Sequence, residues 1–342
     1  MKKKFKLKDN NLPKNFNALV IKKTLSNKYI LNVEKTEIKN INHDEILIKV
    51  SYSSLNYKDI LLCSGNPGLV RRYPHIPGID AAGIVVRSYS KKFKAGDSVI
   101  IVARPMGVKS SGGLAQYVKV PSNWVEKLPA GLSLKKAMIF GTAGFTAALA
   151  VHLLLKNGLK KNTYPILVSG ATGGVGILSI CILSRLGFRV CAITGKPEQE
   201  SFLKEIGASE IIHRNEFSSY PEMPLLKVRF AGIIDNIGGD IISSGSRQLV
   251  EGGKIAAIGM ASSENFQINL MPFILRGIQI IGINAESTDS ALRKKIWKEI
   301  VKISKEKTLK LVYQECNIHN SINIIKKIKN NTNVGRVIVR MI

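Results

Sequence analysis

Seven residues near the middle of the chain, Gly170-Ala171-Thr172-Gly173-Gly174-Val175-Gly176, come directly after the apolar run Ile166-Leu167-Val168-Ser169 and precede a second apolar run over residues 177–186. Glycines at this spacing between a strand and a helix suit a pyrophosphate site. Gly170 would permit the tight turn, and Gly173 would let the backbone approach the phosphates. Gly176 would let the helix pack closely on the sheet, with the helix N-terminus offering N–H groups and partial positive charge. Thr172, Gly174 and Val175 complete the loop. A glycine pattern alone is weak evidence, and a purely structural turn is the competing reading. Here the pattern lies in the strand–turn–helix order that the chemistry needs.

About twenty residues on, the end of the next apolar run should choose between nicotinamide cofactors. An NAD site places Asp or Glu there to bond the ribose hydroxyls. This chain has Ile193-Thr194-Gly195-Lys196 instead, with Arg214 after the third such run. A hydroxyl and two cations suit a 2′-phosphate, so NADPH is the expected cofactor. Lys196 read alone could be a solvated turn residue.

Metal and thiol chemistry find little support. Cys63, Cys181, Cys191 and Cys316 are scattered, and the five histidines form no ligand spacing. Neither a disulfide framework nor a structural zinc is expected. The net charge of +27 is spread along the chain, and its only dense clusters are the first eight residues and residues 326–329. With no aromatic-plus-basic signature, nucleic-acid binding ranks last. A positive field would attract phosphate-bearing ligands. No apolar run is expected to reach the roughly 18–20 residues of a transmembrane helix. The basic N-terminus has no apolar core behind it, so the expected compartment is the cytoplasm, with residues 1–15 as a mobile tail.

These residues need two kinds of scaffold. Residues 17–140 are dense in short apolar runs punctuated by Pro, Gly and Asp, the mark of a small barrel-like β domain. Helical spacing begins near residue 133, over 133–139 and 142–155. From residue 165 apolar strands alternate with helices, with strands expected at 166–169, 189–194, 210–213, 232–235, 254–258 and 279–283. That alternation predicts a parallel sheet covered on both faces. Residues 293–305 and 321–329 read as helices, and 335–339 as a last strand. The expected fold is thus α/β, in two domains.

Taken with the glycine loop, four segments give the chain a family resemblance. They are Ser53-Ser54-Leu55-Asn56-Tyr57-Lys58-Asp59, residues 74–83, Gly141-Thr142-Ala143-Gly144-Phe145-Thr146-Ala147 and Met271-Pro272-Phe273-Ile274-Leu275-Arg276. From about residue 17 to 339 the chain resembles the medium-chain dehydrogenase/reductase superfamily, in its quinone oxidoreductase branch and the acrylyl-CoA reductase group. The resemblance implies a GroES-like catalytic domain over 17–140, completed by 284–342, and a Rossmann domain over 141–283. It departs from the zinc branch, which carries Gly-His-Glu where this chain has Gly78-Ile79-Asp80 and a Cys ligand that the 53–59 segment lacks. No metal is therefore expected. The implied activity is NADPH-dependent reduction of an activated double bond, acrylyl-CoA to propionyl-CoA, with quinone reduction as the alternative. A non-catalytic NADPH-binding protein is the alternative from another class.

The resemblance also assigns residues. Tyr57 would lie by the nicotinamide, orienting it or bonding the substrate carbonyl, unless it merely bridges the domains. Asn56 would donate an amide hydrogen to the thioester oxygen, or shape its loop. Thr146 and Met260 would lie along the nicotinamide, and Arg336 would contact the cofactor. Arg71 and Arg276 would meet the phosphates of an acyl-CoA thioester, though a solvated loop arginine is the plainer reading of Arg71. Relatives pair through the edge of the Rossmann sheet, so residues 279–283 are expected to make a homodimer, with no nucleic acid or membrane as partner.

Overall fold

The structure is a computed structural model, and it describes residues 12–38, 40–66, 68–70, 72–218, 223–304 and 307–341. The chain divides into two compact units, one of residues 1–142 with 313–342 and one of 143–312. The second unit extends further than expected. Residues 284–312 belong with the second unit, where the Ser290–Ile303 helix packs on Phe145, with Trp297 5.8 Å from that ring and Arg293 4.4 Å above it. Only the Tyr313–Asn317 strand and the chain beyond it return to the first unit.

In the first unit a seven-stranded sheet follows the path Tyr313–Asn317, Arg336–Arg340, Glu45–Leu55, Ala81–Ser88, Ser98–Ile101 and Glu126–Lys127, with the seventh strand, Tyr117–Pro121, joined off that path to Glu45–Leu55. Every pairing is antiparallel except that of Tyr313–Asn317 with Arg336–Arg340. Ile46, Ile48 and Val50 enter one core with Val85, Val99 and Val118, while Leu47 between them is buried as well, so this strand is covered on both faces over part of its length. A hairpin of Asn15–Lys23 and Tyr29–Glu37, unforeseen from the sequence, pairs in register from Asn15↔Glu37 to Lys23↔Tyr29. The tail expected over residues 1–15 lies largely outside the described residues.

In the second unit six strands form one parallel sheet in the order Glu210–His213, Val190–Thr194, Ile166–Val168, Phe230–Asp235, Leu249–Ala257, Gln279–Gly282. The three central strands are buried at every position, as a sheet covered on both faces demands. The order reverses beside Ile166–Val168, so the crevice at the C-terminal strand ends opens at the glycine turn.

The chain passes between units within the Leu134–Lys156 helix, which Gly141 interrupts at φ 50°, ψ −152°. A left-handed φ costs little only for glycine, which is why helical spacing is legible on either side of residue 141 and not across it. With its break included, this helix is long and apolar enough to cross a membrane, contrary to the sequence expectation. However, 78% of its most apolar window is buried inside the protein, as befits a core helix.

Candidate active site

In the second unit the glycine turn takes the form the sequence implied. Gly173 caps the Gly174–Arg185 helix, its N–H donates to the Gly170 carbonyl at 2.9 Å, and the Ala171 N–H donates to Ile193 O at 3.2 Å. A Cβ on Gly176 would overlap that same Gly170 carbonyl. Gly173 is exposed, Gly174 and Val175 are half-buried, and Thr172 lies below them. The helix N-terminus is thus open to an anion.

Thr194, Lys196 and Arg214 come together at the end of the neighbouring strand. The Lys196 N–H donates to Thr194 Oγ1 at 2.9 Å, and the Arg214 guanidinium lies so close over Gly195 that a Cβ there would overlap it. Burial lowers the Lys196 pKa, so an anion beside it would be favoured. A backbone cradle plus two cations and a hydroxyl fits a dinucleotide. The strand end itself, Thr194-Gly195-Lys196, carries no carboxylate, which fits a phosphorylated ribose, although the Glu198 charge acts on Lys196 from two residues on.

The sequence did not single out the Asp235-Asn236-Ile237-Gly238 turn, which braces this cradle. Ser169 Oγ donates to Asp235 Oδ1 at 2.6 Å, and Asn236 Nδ2 donates to Ser169 O at 2.8 Å. The Gly238 N–H donates to Asp235 Oδ2 at 2.8 Å. Burial raises the Asp235 pKa against these donors. Asn236 Oδ1 is buried without a protein partner, an acceptor left over at the strand ends. The signal was available as a run of turn residues directly after an apolar strand. Met260 is 66% exposed and Thr146 is buried. Arg276 is committed elsewhere: its guanidinium donates to Arg247 O, Leu249 O and Leu226 O at 2.7, 3.2 and 2.8 Å. It staples backbone together, and is not carried forward as a substrate ligand.

In the first unit, Tyr57 opens the Tyr57–Cys63 helix and is 51% exposed. Asp59 accepts the Asn56 N–H at 2.9 Å and, on its other oxygen, the N–H groups of Gly78 and Ile79 at 3.1 and 3.0 Å. It therefore ties the helix start to the next loop. Burial and the Asp80 charge push its pKa up to about 7 against those donors.

Asn56 and Arg336 are found in roles other than those expected. Asn56 Nδ2 donates to Asp80 Oδ2 at 2.8 Å, and its Oδ1 accepts from Arg336 Nη1 at 3.2 Å. Both ends of the carboxamide are engaged, so it is no donor in waiting for a substrate oxygen. Arg336 is 2% exposed and directs its remaining donors to Ile139 O, Leu55 O and Ser54 Oγ at 3.0, 2.9 and 2.8 Å. Burial lowers its pKa while Asp80, 3.9 Å away, and Asp59 raise it. A side chain so enclosed does not reach a cofactor. Asp80 also accepts Ser54 Oγ, Thr142 N–H and Thr142 Oγ1 at 2.6, 2.9 and 2.6 Å. Arg71 lies outside the described residues. Among the described residues no three His, Cys, Asp or Glu side chains gather to hold a metal ion.

Residues 42–130 match the alcohol dehydrogenase GroES-like domain family and residues 174–304 the zinc-binding dehydrogenase family. The acrylyl-CoA reductase AcuI of Ruegeria pomeroyi is 38% identical over 288 residues, covering 84% of this chain and 87% of the relative. The chain belongs to the medium-chain dehydrogenase/reductase superfamily. Two solved superfamily structures resemble it over its whole fold. The yhdH oxidoreductase of Salmonella enterica, in complex with NADP, is 35% identical with a TM-score of 0.91, covering 95% of this chain and 100% of that one. The Bacillus subtilis protein yhfP, with NAD bound, is 38% identical with a TM-score of 0.91, covering 95% and 99%. At Gly78-Ile79-Asp80 this member has Ile where the resemblance to the zinc branch would place His.

Proposed function

We propose that this oxidoreductase is a zinc-independent, NADPH-dependent reductase of activated double bonds in the cytoplasm, with acrylyl-CoA reduced to propionyl-CoA as its reaction. The observation that carries the cofactor half is the strand end at Thr194-Gly195-Lys196, lacking an acid and covered by Arg214. The two superfamily structures hold different dinucleotides, NADP in one and NAD in the other. The choice for this chain therefore rests on its own residues. The substrate half is supported by the similarity to the Ruegeria pomeroyi acrylyl-CoA reductase.

Bound NADPH supplies the hydride. The chain's residues do the rest: the glycine turn and helix N-terminus hold the pyrophosphate, and Lys196, Arg214 and Thr194 bond the 2′-phosphate. A conjugated thioester needs no metal to accept hydride at its β-carbon: a donor steadies the oxygen that gains charge, and a proton taken up at the α-carbon completes the saturated thioester. Tyr57, an exposed tyrosine at the start of a helix in the first unit, is assigned the donor's position. Thr146 and Met260 are assigned to the nicotinamide end.

The protein is further proposed to be a homodimer paired along the Gln279–Gly282 edge strand. The adjoining Met271–Arg276 helix leaves Ile274 74% and Leu275 62% exposed. An open sheet edge next to such a patch invites a second copy. Light scattering showing a monomer at micromolar concentration would remove this part of the reading.

The test of function is NADPH oxidation by EDTA-treated protein with acrylyl-CoA and a simple quinone in parallel, repeated with NADH. Rapid turnover of acrylyl-CoA with NADPH, and far slower turnover with NADH, is the expected result. Turnover of quinone alone would keep the cofactor and remove the thioester. Tight NADPH binding without turnover of either would favour a non-catalytic role.

A further inference from the structure

Four distant stretches of the first unit meet at one buried point: the 54–59 corner, Asp80, the 139–142 segment and Arg336. Arg336 is the guanidinium that the Asp59 and Asp80 carboxylates face, and both carboxylates are fully buried. Between them Asp80 and Arg336 grip Asn56 from opposite ends, the acid on its amide hydrogens and the base on its carbonyl oxygen. Arg336 also holds the backbone carbonyl of Leu55 at 2.9 Å, while Asp59 holds the N–H of Asn56. The Leu55–Asn56 peptide, one residue before Tyr57, is thus bonded on its carbonyl and its N–H, and the Asn56 side chain at both ends, each to a buried ionisable group. No Cβ could be added at Gly141 without meeting Asp80, Ser54 and Arg336. The fit is closed on that side as well.

A loop that only had to turn would not need three buried ionisable side chains, of which the Asp80 and Arg336 pair is costly to bury and strongly destabilising when one partner is lost. What the arrangement supplies is a fixed origin for the next side chain. We infer that Asp80 and Arg336 are positioning residues of the reduction, clamping Asn56 so that Tyr57 is presented in one orientation to the reacting carbonyl. This rests on the role proposed for Tyr57. Neither residue touches the substrate. Each acts through Asn56, and misplacing a reacting group by an ångström costs on the order of 100-fold in rate.

The test compares the parent, Arg336→Lys, Asn56→Ala and the double variant. Arg336→Lys keeps the buried charge but loses the fork, so it folds where Arg336→Ala risks unfolding. Expected for Arg336→Lys is a fall in kcat of about 10-fold to 100-fold with KM for NADPH within about two-fold. The double variant should lose no more than the worse single variant, because one residue acts through the other. A rise in KM for NADPH at constant kcat would make Arg336 a cofactor ligand and overturn the clamp, as would losses that multiply in the double variant.

A readout independent of turnover is the fluorine resonance of 3-fluorotyrosine placed at position 57. One sharp line in the parent, split or broadened in Arg336→Lys, is expected. An unchanged line would sink the inference even in an active enzyme. If the parent turns over neither substrate, the proposed reduction fails on its own, and the fluorine line still decides whether the clamp fixes Tyr57.

Discussion

The cradle of the second unit and the clamp of the first are both built to hold something still, and they are built in opposite ways. The cradle is backbone: consecutive glycines, one helix N-terminus and a strand end, most of it within residues 166–196. The clamp is side chain, and its members Ser54, Asp80, Thr142 and Arg336 span nearly the whole sequence. A cradle of backbone donors can form wherever a strand runs through a glycine turn into a helix. A clamp of buried charges exists only once the sheet that aligns its parts has folded. The first unit should therefore be the one whose integrity depends on single polar residues, and the second the one whose ligand choice does.

The sharpest way to break this comparison is Arg336→Ala. Removing the guanidinium leaves Asp80 buried without its cation, a loss of about 3–5 kcal/mol in comparable cases. Thermal unfolding should show the first unit melting early, with dinucleotide affinity of any folded protein little altered. A melting curve that does not move would show that the clamp carries no stability.

Nearly as large is the expected response to pH. Asp59 is pushed up to about 7 from an ordinary 3.8 by burial and by Asp80. In that window the folded protein holds a proton that the unfolded chain has released. Its contribution is fully present below about pH 4 and is lost as pH rises through 7, amounting to at most about 4 kcal/mol. Asp59→Asn should flatten this slope in denaturant titrations between pH 4 and 8. A slope that survives the substitution would assign it to other groups.

The second unit was the more legible in sequence, for a physical reason. Its central strands are buried on both faces and read as unbroken apolar runs, Val190–Thr194 and Phe230–Asp235 among them. The break at Gly141 was legible as well, since helical spacing stops and restarts there. The Asn15–Lys23 and Tyr29–Glu37 hairpin was not, because no residue of Tyr29–Glu37 is fully buried and its alternation is faint. The start of the Ser290–Ile303 helix lay three residues before its apolar spacing, set by Asp289 capping Ala291 and Leu292. The clamp was beyond a linear reading altogether. Arg336 and Asn56 are 280 positions apart, and nothing in the types Asn, Asp and Arg distinguishes a buried partner from a ligand until the strands align them.

For the cradle, the counterpart of removing a buried charge is removing one at its rim. Arg214→Ala should weaken NADPH by roughly 10-fold to 100-fold, the worth of one charge-assisted contact of about 1.5–3 kcal/mol. NADH, without the 2′-phosphate, should bind as before, and the first unit should melt unchanged. Equal loss for both dinucleotides in a fluorescence titration would mean that Arg214 supports the strand end and does not select the phosphate.

The smallest change asked of the cradle is Thr194→Val. The hydroxyl accepts the Lys196 N–H at 2.9 Å, and a buried methyl in its place leaves that donor without its partner. The net worth of such a bond is about 1 kcal/mol, so NADPH affinity should fall about five-fold. If Thr194 only orders the turn, NADH should weaken by the same factor and the ratio of the two cofactors should hold. If its hydroxyl also meets the 2′-phosphate, the ratio shifts toward NADH. The second outcome is expected, because Thr194, Gly195 and Lys196 lie in one turn under the Arg214 guanidinium, where a single anion could meet all three polar groups.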